Sequence, residues 1–152
     1  MEVYRISRAK YASKLAASGN AGRWNYRGQH VIYTTSSRAL ASLELLVHLS
    51  GQQLGTSFKI TIIHVPDDLY VASLSKSNLP DGWNGLSNYT ITQSLGAKWL
   101  SSGDSCVLKV PSSIVIHEYN YILNVHHADF DRLKIVGVED YLYDPRLLDK
   151  MR

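Results

Sequence analysis

The sequence predicts an α+β fold: a compact single domain over residues 1–152, with a mostly antiparallel, curved sheet and flanking helices. Three observations lead there. Short apolar, β-branched and aromatic runs outnumber the helical stretches. The helical stretches concentrate in the first half, so strands and helices do not alternate as in a βαβ chain. No Gly-x-Gly-x-x-Gly follows a strand and no P-loop sequence occurs, which argues against a Rossmann or P-loop nucleotide site.

Val3–Ile6 reads as the first strand, and Arg8–Ala17 as a helix with Ser7 as its N-cap and Gly19 as its stop signal. Val31–Thr34 is a strand. Ser37–Leu49 is the clearest helix: Ser36 or Ser37 caps it, Leu40, Leu43, Leu46 and Val47 form an apolar stripe, and Gly51 ends it. Glu44 lies one turn from both Leu40 and Val47, at the border of that stripe, where a carboxylate can point into a cleft. Ser57–Val65 alternates as a strand does and stops at Pro66. Leu69–Ala72 is a further short strand. Ser73–Gly85, rich in Ser, Asn, Pro and Gly, is a long loop inside the domain, and loops of this length are often functional. Tyr89–Leu100 forms a helix despite Gly96. Cys106–Val110, Ser113–Ile116, Tyr119–Leu123 and Leu133–Tyr143 read as strands. There is neither an internal repeat nor a linker.

Composition narrows the function. At 152 residues the chain can bury a sizeable core, and 45% hydrophobic content is that of an ordinary globular protein. Three Trp and ten Tyr against two Phe favour rings with polar handles, which suit pockets as well as a small core. A net charge of +3 without a dense Lys/Arg block permits an anionic ligand but does not demand nucleic acid. The single Cys106 excludes an internal disulfide framework, and its apolar run makes it a buried strand residue rather than a nucleophile. The N-terminus lacks a signal-peptide core, and no run has the ~18 apolar residues of a membrane helix. These features predict a cytoplasmic protein with no membrane association.

The candidate chemistry lies in two blocks. In Gly22–Glu44, GRWNYRGQHVIYTTSSRALASLE, Arg23 in a glycine-flanked loop offers a planar fork for phosphate, and Tyr33 offers a flat ring for stacking. Glu44 can bind sugar hydroxyls and stabilise a cationic sugar. Together they suggest a nucleotide-sugar site, although each also has a purely structural reading. In Val110–Phe130, VPSSIVIHEYNYILNVHHADF, Pro111 places Ser112 at a turn, where its hydroxyl either meets a ligand or satisfies turn backbone. No Gly-x-Ser-x-Gly elbow surrounds it. Asn120 and Asn124 share one strand face, and either can tie loops together. Glu118 is expected on a strand edge facing solvent, so paired carboxylates are not evident. His126–His127 is adjacent rather than spaced for ligation, so no metal is expected, and His127 positions a substrate or fixes a loop.

Taken together, the two blocks resemble the RES-domain family, the toxin half of bacterial toxin–antitoxin modules. Arg23, Tyr33 and Glu44 stand in that family's order and approximate spacing. The second block looks like its Val-Pro-Ser strand, Asn-rich segment and His-x-Asp-Phe ending, with Ser112, Asn124 and His127 on the pattern. The opening VYRI supplies Arg5, and YLYDPRLLD matches the closing Asp-x-Arg-Leu. Val125 stands where the family's Asn-Pro turn has proline. The resemblance spans nearly the whole chain. It implies a fold similar to ADP-ribosyltransferase toxins and NAD as substrate, with no bound cofactor. NAD would be cleaved by hydrolysis or phosphorolysis, or used to ADP-ribosylate a protein. It also implies Glu44, Arg23 and Tyr33 as catalytic residues, and Arg5, Arg23, Tyr33, Ser112, Asn124 and His127 as NAD-binding residues. The implied partner is an Xre-like helix-turn-helix antitoxin, through which alone the toxin would meet DNA, with a homodimer possible inside the complex. Two alternatives stay open: an RNA-directed toxin using aromatic rings and His126–His127, against which the scattered basic residues weigh, and a non-enzymatic interaction domain.

Overall fold

The computed structural model describes residues 1–49 and 57–149. In chain order the elements are β1 (Glu2–Arg8), β2 (Val31–Thr35), α1 (Arg38–His48), β3 (Phe58–His64), β4 (Val71–Ser73), α2 (Tyr89–Ser102), β5 (Val107–Pro111), β6 (Tyr119–Asn124), β7 (Lys134–Tyr141) and the short α3 (Pro145–Asp149). The strands form one sheet in the order β4-β5-β6-β2-β1-β3-β7. Its pairings are antiparallel except for β4 with β5, as an α+β chain with few crossover helices requires.

Strand alternation builds a core on each face. Val3, Ile32, Ile63, Val107, Tyr121 and Leu123 pack on one side, joined by Val65, Leu69 and Leu133. Val31, Leu108, Val110 and Ile122 face the other side and meet Trp24, Trp83 and Trp99. Gly96 explains how α2 comes so close. A Cβ there would lie 1.7 Å from the carbonyl oxygen of Trp24, so only glycine lets the helix seat against that loop.

The pairings also leave a seam. β1 matches β3 through seven residue pairs and β2 matches β6 through five. β1 and β2 themselves meet only at Tyr4 and Thr35. The sheet is therefore two halves, β4-β5-β6-β2 and β1-β3-β7, joined at one point and splayed beyond it.

Two predicted elements do not form. In place of a helix over Arg8–Ala17 there is one 3₁₀ turn, Ala9–Tyr11. β1 runs on to pair Arg8 with Phe58, and the Thr61 hydroxyl donates to the Ala12 carbonyl at 2.8 Å. Long-range partners thus take the groups a helix would need, and Leu15 and Ala17 pack on the core instead. Ser113–Ile116 is a turn rather than a strand. The Ser112 hydroxyl accepts the N–H groups of Ile114 and Val115 at 3.1 Å each, and Ser112 N–H donates to the Glu118 carbonyl at 2.9 Å. These bonds close the β5–β6 hairpin.

Helix α1 starts where expected, with Ser37 accepting the Leu40 N–H at 3.1 Å. Its buried face is rotated from the predicted stripe. Leu40 and Ala41 are buried, whereas Leu43 and Val47 are exposed. The helix lies over the seam, so the flank carrying Glu44, Leu45 and His48 turns toward a cavity instead of solid core. Gly51, the expected stop signal, lies outside the described residues.

Candidate active site

The seam opens into a cavity of about 190 Å³. β1 contributes Tyr4, Arg5 and Ile6, β2 contributes Tyr33, Thr34 and Thr35, and β6 contributes Asn120; the roof is Ala41, Glu44, Leu45 and His48 of α1. The cavity therefore lies where the two strands separate.

Glu44 is held from two directions, both on one oxygen. Asn120 Nδ2 donates to Oε1 at 2.7 Å and Ser112 Oγ donates to it at 3.1 Å. Ser112 is fully buried and already accepts two turn N–H groups, so its single proton is left for the carboxylate. Oε2 has no hydrogen-bond donor among the described residues.

Arg5 stands across the cavity on β1. Among the described residues its one side-chain hydrogen bond is long, 3.5 Å from Nη1 to the Ala16 carbonyl, and it has no carboxylate partner. Burial lowers its pKa, but a guanidinium stays charged at neutral pH. It is thus a half-buried cation with most of its donors unused.

Tyr33 presents its ring to the cavity, while its hydroxyl is engaged behind. The hydroxyl donates to Asn25 Oδ1 at 2.6 Å and accepts the Trp24 N–H at 2.9 Å. Burial pushes its pKa far above the usual phenol value, so it offers a surface and not a proton at neutral pH. Gly22 is required beside it, because a Cβ there would lie 2.5 Å from the Tyr33 hydroxyl.

Arg23 does not line the cavity. Its Nη1 donates to the Trp83 carbonyl at 2.9 Å and its Nη2 to the Gly85 carbonyl at 3.2 Å, with the guanidinium 4.4 Å over the Tyr89 ring. It clamps the 73–85 loop, whose Trp83 packs 6.0 Å from Trp24. Two donors of the expected free fork for phosphate are therefore taken by backbone carbonyls.

Asn124 and His127 lie elsewhere, with His30 and His126, around a second cavity of about 500 Å³ near the end of α2. Asn124 Oδ1 accepts the His126 N–H at 3.0 Å. His127 accepts the Asp129 N–H on Nδ1 at 3.0 Å, so its Nε2 carries the proton toward the Gly103 carbonyl 3.0 Å away. Both residues fix the turn after β6. Glu118, expected in solvent, accepts the Ser37 hydroxyl at 3.3 Å at the head of α1. Cys106 is fully buried, and burial pushes its thiol pKa up to about 11, which leaves no thiolate for chemistry. No group of three His, Cys, Asp or Glu side chains is placed to hold a metal among the described residues.

The RES domain family matches residues 2–144. This chain belongs to the RES-domain family of toxins. The RES-domain chain is 36% identical over 149 residues to a Prs ADP-ribosylating toxin of Sphingobium sp., covering 95% of this chain and 92% of that protein. It is 35% identical over 153 residues to a Toxin Res of Photorhabdus laumondii, covering 97% of each. Its fold is similar to that of a chain in the crystal structure of the M. tuberculosis MbcT–MbcA toxin–antitoxin complex, with a TM-score of 0.76 and 18% identity, covering 99% of this chain and 88% of that one.

Of the residues expected at the RES-domain site, the fold brings Arg5, Tyr33 and Glu44 to one cavity, puts Ser112 behind Glu44, and leaves Arg23, Asn124 and His127 off its lining. Sequence reasoning missed Asn120, Tyr4, Thr35 and His48 as lining residues. Asn120 shared a strand face with Asn124, but only the pairing of Asn120 with Thr35 selects the seam end for it. His48 could have been found, since it stands four residues after Glu44 and so on the same helix face.

Proposed function

We propose that this chain is the toxin enzyme of a toxin–antitoxin pair and that it depletes NAD by cleaving the nicotinamide–ribose bond, through hydrolysis or phosphorolysis. The observation that carries this is the pairing, in one cleft, of an uncommitted guanidinium, Arg5, with a carboxylate whose one oxygen is tied down and whose other is open. The cleft is smaller than the ~300–1,000 Å³ of sites that enclose a drug-sized ligand. It suits the nicotinamide–ribose end, with the diphosphate at the mouth toward Arg5.

When the ribose C1–nitrogen bond breaks, its electron pair passes to the ring nitrogen and nicotinamide leaves neutral. The sugar carbon gains oxocarbenium character. An oxygen of water or phosphate then bonds to that carbon and gives up its proton. In this reading Glu44 binds ribose hydroxyls and opposes the growing positive charge, Tyr33 stacks on the ring, Arg5 holds the anion, and Ser112 fixes Glu44. Arg23 acts through the loop it clamps. Asn124 and His127 hold the turn at the far end of β6. NAD is the substrate, and no resident cofactor is needed.

A second reading, transfer of ADP-ribose to a protein side chain, is favoured by the name of the Sphingobium relative. The similarity to a chain from a toxin–antitoxin complex supports an antitoxin partner, for which an Xre-like helix-turn-helix protein is proposed, with DNA reached only through it and a homodimer inside the assembly. No helix among the described residues is long and apolar enough to cross a membrane, and the proposed setting is the cytoplasm. The test is incubation of the purified chain with NAD, with and without phosphate, followed by separation of products. Free nicotinamide with ADP-ribose, or with a phosphorylated ADP-ribose, supports the proposal. Intact NAD in both arms refutes it.

A further inference from the structure

Asn120 forms the shorter of the two bonds to Glu44, yet its own carbonyl is left without a partner. Oδ1 is buried and accepts no hydrogen bond from the described residues. A native fold rarely keeps such an acceptor, and each instance asks for a reason. The reason here is directional. Turning the amide over would set Oδ1 against Glu44 Oε1 at 2.7 Å, acceptor against acceptor. The carboxylate therefore dictates the orientation of the amide, and the stranded oxygen is its consequence. The backbone of Asn120 is fixed as well, between Thr35 on β2 and Val110 on β5. Its amide thus approaches Glu44 from a rigid strand, while Ser112 approaches from the turn that closes the same hairpin.

We propose that Asn120 is a positioning residue for the cleavage step: by saturating Oε1 from a fixed strand it selects Oε2 as the oxygen that meets the sugar. This rests on the NAD-cleaving reading above. Asn120 acts through Glu44 and supplies no group to the reaction itself. The other titratable side chains around Glu44 are Tyr4 and Arg5 on β1, Tyr33 on β2, His48 on α1, and Glu118 at the turn before β6. None of them donates to Oε1.

The experiment is a kinetic cycle on the full chain with NAD as substrate, using Asn120→Ala, Glu44→Gln and the double variant, with melting curves on each. Asn120→Ala should lower kcat by up to about 10²-fold, the scale of a misplaced reacting group, with KM changed by less than about threefold. In the Glu44→Gln background the same change should add less than about twofold, because no charged oxygen remains to be aimed. Asn120→Asp has the shape of asparagine and guards against loss of fold in the alanine variant. It sets a second carboxylate against Glu44, so the pair retains a proton to higher pH and the acid limb of the rate profile moves upward. Unchanged kcat in Asn120→Ala, or losses that multiply in the double variant, would overturn the proposal while leaving NAD cleavage intact. So would an Asn120→Asp profile that superimposes on the wild type. A wild-type chain that leaves NAD untouched would overturn the functional reading, and this inference with it.

Discussion

Glu44→Gln isolates charge from shape at the centre of the cleft. The glutamine carbonyl oxygen can occupy the place of Oε1 and accept from Asn120 and Ser112 as the carboxylate does. Those two bonds weaken from charge-assisted to neutral, a loss of about 1 kcal/mol each at most. Relief of burying a charge offsets part of it. At about 2–4 °C per kcal/mol for a chain of this size, the melting temperature should fall by no more than about 8 °C. The other position changes in kind. Where Oε2 offered lone pairs and negative charge, an NH₂ group now presents donors and no charge to a sugar becoming cationic. Loss of one such preorganised interaction lowers kcat by about 10²–10³, or roughly 2.7–4 kcal/mol of barrier. Release of nicotinamide from NAD, measured beside melting curves of both proteins, is the assay. Turnover near wild type in a folded Glu44→Gln protein would refute the reasoning.

Arg5→Ala should weaken NAD binding at least about tenfold in a catalytically inactive background while leaving stability nearly unchanged, because its side-chain hydrogen bond to the Ala16 carbonyl is long; calorimetry and melting curves separate the two effects. Arg23→Lys should do the reverse, since an ammonium cannot span the Trp83 and Gly85 carbonyls and stack on Tyr89 together: about 1–3 kcal/mol of stability is lost, and faster proteolysis of the 73–85 loop reports it. The thiol of Cys106 has a folded pKa raised from 9.0 to about 11 by burial, so its contribution to stability is full below pH 9 and is lost as pH rises toward 11; denaturant midpoints across that window should fall less steeply in Cys106→Ala. A neutralising antitoxin that covers the cleft with an acidic side chain or C-terminal carboxylate against Arg5 should exclude NAD, and a complex that binds NAD as tightly as the free toxin would rule out blockade.

Periodicity made most of the strands legible, because alternation of apolar residues marks a strand wherever its partners lie. It failed at Arg8–Ala17, where a passable helix pattern yields to contacts with Thr61 and Ser57, far along the chain. That Glu44 sits at the border of the buried helix face, turned toward a cleft, was legible from its place on α1. The side chains that hold it were not, since Asn120 and Ser112 reach it only through the β5–β6 hairpin and the order of the strands. Arg23 shows the opposite case: a glycine-flanked arginine suggests an anion site, and nothing in its neighbourhood reveals that carbonyls sixty residues on will take two of its donors.

The seam between β1 and β2 gives any occupant of the cleft a mechanical part to play. Past Tyr4 and Thr35, each strand hydrogen-bonds to its neighbour on one side only, so two inner edges face one another in the middle of a sheet. A molecule lodged between them acts as a splint across a hinge. The two halves should breathe against each other when the cleft is empty and stiffen when it is filled. Amide exchange in β1 and β2 should slow on binding far more than in the outer strands, and at a ligand concentration 100 times Kd the whole fold should gain about 2.7 kcal/mol.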